Sequence, residues 1–328
     1  MPSWRYAVSP NITFSVLTRR RRPTLLSRTF GPEVAHGEPG VVLDLGGSAG
    51  HEHGTATTTR AVYKAVPWSC EVDRTGEAWG LRFRSPAMRE YLAMHIALLP
   101  ALRYELAMQG VALIPGGAYE DDDGATVIAG PTGAGKTSLL LGSLGHGSRF
   151  IGDEYVGLSS AGHVSPVVRS LALRRASLAL VPGAADRLST SRRIGLLAAE
   201  FVTTLTQRRL EPLSHVRPEE LGMKVADGGA DVKRVVWLEP FAASGSPAMQ
   251  PMSEDELFHR FVERDAVHQE AYRDISLRLQ LLAGHDEAGV GWRRALEACL
   301  LRVECYRLRF DRERLSEAMG ALGTLSPA

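Results

Sequence analysis

Gly130-Pro131-Thr132-Gly133-Ala134-Gly135-Lys136-Thr137-Ser138 spells G-x-x-x-x-G-K-T, the loop pattern that cradles phosphate. Its three glycines let the backbone fold back so that successive N–H groups converge on one concavity. Those amides and the positive end of a following helix suit anionic oxygens. In such a loop Lys136 reaches the β- and γ-phosphates, and the Thr137 hydroxyl is a Mg²⁺ ligand. The flanks agree. Ala125-Thr126-Val127-Ile128-Ala129 is a β-rich run before the loop, and Leu139-Leu140-Leu141 opens an apolar helix after it. A glycine-rich turn without a ligand is the plain alternative. Lysine is scarce, with only Lys64, Lys136, Lys224 and Lys233 among 38 basic residues, so a lysine at this spacing carries weight.

Working back from the loop, Val111-Ala112-Leu113-Ile114 leads through Pro115-Gly116-Gly117 to the acidic run Glu120-Asp121-Asp122-Asp123-Gly124. An Asp-Gly ending reads as the turn of an antiparallel hairpin with a solvated tip, and calcium-loop spacing is absent. Residues 86–109 predict a helix with Leu92, Ile96 and Leu99 on its buried face, divided at Pro100 and stopped at Gly110. Residues 1–84 read as β-rich, with strands at Ile12–Leu17, Val41–Leu45, Thr59–Val72 and Trp79–Phe83. Gly46–Gly50 and His51-Glu52-His53 read as exposed loop, and Arg19–Arg22 as a solvated basic run.

Working forward, Arg149-Phe150-Ile151 predicts a short strand that delivers Gly152-Asp153-Glu154 back to the phosphate end, 17 residues after Lys136. A carboxylate there can hold Mg²⁺ or orient an attacking hydroxyl. Neighbours on a strand face opposite ways, so only one of Asp153 and Glu154 meets the phosphate unless strand geometry ends at Gly152. Glu239, closing the apolar run Val235–Leu238, is the rival acid. Arg169, Arg174 and Arg175 are candidate clamps for phosphoryl charge. Residues 200–210 predict a helix and 240–252 a loop. Ser253-Glu254-Asp255-Glu256 reads as a capping box, and Leu277, Leu279, Leu281 and Leu282 as core. Tyr306–Phe310 reads as a half-buried strand, followed by a helix from Arg312 to Leu322.

Composition bounds the rest. At 328 residues with 44% apolar content the chain can bury a large core in one or two domains. A formal net charge of +1 argues against bulk capture of nucleic acid or membrane. Cys70, Cys299 and Cys305 are odd in number and unpaired by spacing, which points to a reducing cytoplasm.

The loop, the Phe150-Ile151-Gly152-Asp153-Glu154 run and the terminal Cys305-Tyr306-Arg307-Leu308-Arg309-Phe310 followed by a helix together resemble the HPr kinase/phosphorylase-like P-loop kinases. That group is related to phosphoenolpyruvate carboxykinase, and the likeness is best over residues 105–175. It implies an α/β fold: a mixed-sheet kinase domain over 85–328 with a small β-rich N-terminal domain over 1–84. It implies ATP and Mg²⁺, and phosphoryl transfer to a hydroxyl, in some relatives the serine of a peptide from bacterial natural-product pathways. Carried over, Gly130, Pro131, Thr132, Gly133, Ala134, Gly135, Lys136, Thr137 and Ser138 hold the nucleotide. Thr137 and Asp153 hold the metal. Asp153, then Glu154, activates the hydroxyl, with Lys136 completing the catalytic set. The chain departs from the family in having glutamate as the second acid and no histidine near Pro115–Gly117. The expected partners are a nucleotide and a peptide, protein or small-metabolite acceptor, with self-association left open. A nucleotide-binding regulator and carboxykinase chemistry are the alternatives.

Overall fold

A computed structural model describes residues 3–9, 12–18, 22–31, 33–35, 38–45, 57–63, 66–76, 78–145, 147–181, 183–205, 214–241, 246–270, 273–283, 287–311 and 314–323. The Gly46–Gly50 and His51–His53 loop, most of the Arg19–Arg22 run and residues 206–210 lie outside them.

The strands are β1 (Ser3–Ser9), β2 (Ile12–Leu17), β3 (Val41–Asp44), β4 (Thr57–Tyr63), β5 (Val66–Thr75), β6 (Ala78–Arg84), β7 (Val111–Asp121), β8 (Gly124–Ala129), β9 (Arg149–Gly152), β10 (Tyr155–Ser159), β11 (His163–Pro166), β12 (Leu171–Leu173), β13 (Ser214–Val216), β14 (Ala230–Pro240), β15 (Ala248–Pro251) and β16 (Glu304–Phe310). The α-helices are α1 (Thr24–Thr29), α2 (Arg89–Leu92), α3 (Leu99–Met108), α4 (Lys136–Gly145), α5 (Ala184–Arg187), α6 (Thr190–Leu205), α7 (Glu254–Glu270), α8 (Arg273–Ala283), α9 (Glu287–Leu300) and α10 (Leu315–Gly323). The architecture is mixed α/β with mixed sheets. Among the described residues no helix is long and apolar enough to cross a membrane.

Two compact units share these elements: Met1–Leu113 with Val262–Leu296, and Ile114–Phe261 with Glu297–Ala328. This partition differs from the 1–84 and 85–328 division in assigning residues 85–113 and 262–296 to the first unit. The physical reason is burial: Trp292 donates its indole N–H to the Leu113 carbonyl at 2.8 Å, and Arg103 pairs with Asp265 at 2.7 Å.

In the first unit a six-stranded sheet runs β1-β2-β3-β6-β5-β4. Its alternation is plain in β6, where Trp79, Leu81 and Phe83 are buried while Arg82 reaches Glu71 and Asp73. The Thr59–Val72 run is two strands, β4 and β5, which pair antiparallel as a hairpin. Strand β1 stands outside the four expected strands although Trp4, Tyr6 and Val8 alternate along it, and the six residues of α1 are too few to show a helical period. The helix is not divided at Pro100: it runs unbroken from Arg89 to Met108, with a wide π-turn over Ala93–Leu98 that absorbs the hydrogen bond the proline cannot make. Of the four leucines expected in the core, Leu279 is buried, whereas Leu277 and Leu281 are exposed; α8 buries a single narrow face.

In the second unit the large sheet runs β11-β10-β7-β8-β14-β16-β15, with β9 on β7. Strands β8, β14 and β16 are parallel, and β7 and β15 antiparallel to their neighbours. The 240–252 segment, expected as loop, contributes β15, recruited by the open edge of β16. Helix α6 starts ten residues earlier than expected. The β7–β8 turn stands where the Asp-Gly signal puts it, with Asp121 opposite Gly124. Its tip is not simply solvated: the buried Arg234 guanidinium lies 3.6 Å from Asp121 and 3.8 Å from Asp123.

Candidate functional site

Strand β8 is buried along Ala125–Ala129 and ends at Gly130, where φ is +146°. A side chain there would meet the Leu238 backbone of β14 at 3.0 Å, so only glycine fits between the two strands. The loop then turns through Gly133 (φ +75°) and Gly135 (φ +92°). Pro131, Thr132 and Gly133 form the exposed rim, Ala134 is buried, and Gly135 to Ser138 are half-buried. Helix α4 begins at Lys136 and has no acid of its own in its first turn. Leu139, Leu140 and Leu141 are fully buried and fix α4 in place. Lys136 folds back over the mouth, its Nζ donating to the carbonyls of Gly130 and Pro131 at 2.9 Å each.

The acid pair arrives as the spacing predicts. Strand β9 ends at Gly152, and Asp153, 1% exposed, accepts hydrogen bonds from the Thr137 hydroxyl at 3.0 Å (Oδ2) and 3.2 Å (Oδ1). The Ala172 N–H of β12 donates to Oδ2 at 3.2 Å. Burial pushes the Asp153 carboxyl above its ordinary range, against these hydrogen bonds and the Lys136 charge. Strand geometry does end here: Glu154 takes φ +63°, a conformation few non-glycine residues adopt. Its side chain is 18% exposed, but Oε2 is buried and has no hydrogen-bond partner among the described residues. Burial first, and the Asp153 charge second, push the Glu154 carboxyl up to about 8.

His215 completes the neighbourhood and carried no signal in the sequence. It sits on β13, opposite Ala172 of β12, and is 5% exposed. Its Nδ1 is 3.0 Å from Ser170 Oγ and 3.8 Å from Glu154 Oε2. A lone histidine in a three-residue strand, 61 positions past Glu154, cannot be linked to the loop by spacing.

The other candidates separate. Glu239 lies 3.2 Å from Arg260 and 3.9 Å from Arg309, so two guanidinium groups already occupy it. Arg175 pairs with Glu200 at the surface, and Arg169 lies under the influence of Glu219. Among the described residues neither Arg169 nor Arg175 makes a hydrogen bond or ion pair to the loop residues. At Gly117, in the stretch where the resemblance leads one to expect a histidine, a Cβ would meet Leu140 at 3.1 Å and Asp153 Oδ1 at 3.4 Å, so α4 and Asp153 crowd the backbone there. The three cysteines are buried and free, their thiols pushed up by burial to between about 11 and about 12, which makes them poor nucleophiles. Among the described residues no three His, Cys, Asp or Glu side chains cluster as a self-sufficient metal site. A Mg²⁺ ion bound with a nucleotide needs only one or two protein oxygens beside phosphate and water.

Comparison with protein-family models and with curated proteins gives no match.

Proposed function

We propose that the second unit is a P-loop phosphotransferase that takes a nucleoside triphosphate. More particularly, we infer an HPr-kinase-like enzyme that moves the γ-phosphoryl group of ATP, with Mg²⁺, to a hydroxyl of a peptide or protein, most simply a serine. The observation that carries this reading is the Thr137 hydroxyl on Asp153 at 3.0 Å. It joins the last part of the phosphate loop to the acid delivered by β9.

The residues fit the metal. A buried carboxylate next to a helix-start hydroxyl is the oxygen pair expected for Mg²⁺, and the cost that burial puts on the Asp153 charge is one a bound cation would offset. When bound, Mg²⁺ supplies charge neutralisation for the phosphate oxygens. The backbone of Gly133 to Lys136 and the pole of α4 hold the phosphates, and Lys136 exchanges its two loop carbonyls for phosphate oxygens. Asp153 and Thr137 serve the metal. Glu154, whose pKa of about 8 suits a base near neutral pH, takes the acceptor proton. As that proton leaves, the acceptor oxygen bonds to the γ-phosphorus. The bond from phosphorus to the bridging oxygen breaks, and ADP departs with the electron pair. The division of labour refines the sequence-level assignment, which gave Asp153 both duties; its carboxylate already accepts from Thr137 and Ala172.

The test is transfer of label from γ-labelled ATP to a panel of serine peptides, proteins and small alcohols, beside calorimetric binding of Mg·ATP. A labelled acceptor supports the kinase. Tight binding with no labelled acceptor across the panel supports a nucleotide-binding regulator instead.

A further inference from the structure

The two-stranded β12–β13 sheet touches both acids through directly opposed residues. Ala172 on β12 gives its N–H to Asp153 Oδ2 at 3.2 Å, and His215, its register partner on β13, brings Nδ1 to 3.8 Å from Glu154 Oε2. Ser170, just before β12, is fully buried and meets the same Nδ1 at 3.0 Å. So the Ser170 hydroxyl oxygen and the Glu154 carboxyl both face one ring nitrogen; with Nδ1 protonated, Ser170 Oγ accepts its single hydrogen and Glu154 Oε2 stands where that hydrogen can be shared. Glu154 Oε2 has no hydrogen-bond partner among the described residues, and a buried carboxyl oxygen left so is costly unless a nearby donor can close on it. The imidazole is such a donor. The gap of 3.8 Å is closed by a shift of under about 1 Å to ordinary N–H···O length. The other charged groups bearing on Glu154 are Asp153, which opposes its ionisation, and Lys136, which favours it.

We propose that His215 is a positioning residue for phosphoryl transfer: its Nδ1–H, held in place by Ser170 Oγ as acceptor, is shared with the Glu154 carboxyl and fixes it beside Asp153. This rests on the kinase reading above, because Glu154 has work to do only if a hydroxyl is activated there. The geometry also accounts for the left-handed backbone at Glu154, which turns the side chain toward β13 rather than along the strand.

The experiment uses the full chain and water as acceptor, since slow hydrolysis of Mg·ATP needs no knowledge of the natural acceptor. Single-turnover ADP formation and calorimetric Kd for Mg·ADP are measured for wild type, His215→Ala, His215→Asn, His215→Gln and Ser170→Ala. The Asn amide nitrogen reaches the Nδ1 position; the Gln amide reaches the Nε2 position instead. His215→Ala is expected to slow turnover roughly 10- to 100-fold with Kd within threefold of wild type, and Asn to restore most of the rate. Ser170→Ala is expected to fall between wild type and His215→Ala. Turnover by His215→Ala equal to wild type overturns the proposal, as does rescue by Gln but not Asn, or a loss that follows Kd. A wild type that binds Mg·ADP but never turns over Mg·ATP overturns the positioning role and leaves nucleotide binding standing. One that binds no nucleotide overturns both.

Discussion

At the scale of single residues the proposed function gives the loop lysine and the two acids different work, and substitution separates them. Lys136→Ala is expected to abolish measurable Mg·ATP binding by calorimetry, because it removes the one ammonium in the loop. Asp153→Asn keeps the hydrogen bond from Thr137 and the shape of the site but loses the charge. Nucleotide binding is expected to stay within about tenfold while single-turnover transfer falls by roughly 10²- to 10⁴-fold; equal transfer by both proteins removes this acid from the mechanism. Glu154 supplies a stability prediction with a definite sign. Its folded pKa of about 8 lies above the ordinary 4.5, so between those values the folded state binds more protons than the unfolded chain. The group therefore costs nothing below about pH 4.5 and destabilises progressively as pH rises toward 8. In the nucleotide-free protein Glu154→Gln should raise stability by about 1–2 kcal/mol at pH 8 and leave it unchanged near pH 4.5, read from urea midpoints. A variant less stable than wild type at pH 8 contradicts the assignment of a strained, buried acid.

At the scale of elements, boundaries were legible where local chemistry sets them. The G-x-x-x-x-G-K-T spacing put a strand before and a helix after, and β8 and α4 stand there. Ser253 caps α7 by accepting the Glu256 N–H at 3.2 Å. The Glu256 side chain does not complete the reciprocal half of the box: it pairs with Arg307 at 2.7 Å, because an ion pair across to β16 outweighs a local bond to a backbone amide. Ser253→Ala is accordingly expected to cost about 1 kcal/mol in the denaturant midpoint, the value of a single cap. Gly130→Ala should cost more, roughly 1–3 kcal/mol, since the new Cβ meets the Leu238 backbone and φ +146° disfavours it. Elements fixed by pairing rather than by their own residues escaped the sequence: β15 has two prolines nearby but pairs with β16 all the same, and β12 and β13 hold three residues each.

At the scale of the whole molecule, the nucleotide reading predicts linkage. A ligand bound to the folded state alone stabilises it by RT ln(1 + [L]/Kd), about 2.7 kcal/mol at 100 times Kd. Mg·ATP at that excess should raise the melting transition of the second unit by roughly 5–10 °C in calorimetry, and Lys136→Ala should erase the rise. Residue type and spacing alone determined the strand, glycine loop and helix around Gly130–Lys136, the strand that returns Asp153 and Glu154, and the acidic hairpin before them. Each of these is a local pattern in which chain geometry leaves few choices. Contacts distant in sequence decided the rest: that 262–296 packs with the first unit, that Glu239 is taken up by arginines, and that Asp153 is the acid on Thr137. The same holds for His215 beside Glu154. Such juxtapositions depend on which strand pairs with which, and strand pairing is settled by burial of whole sheet faces rather than by any residue's neighbours in the chain.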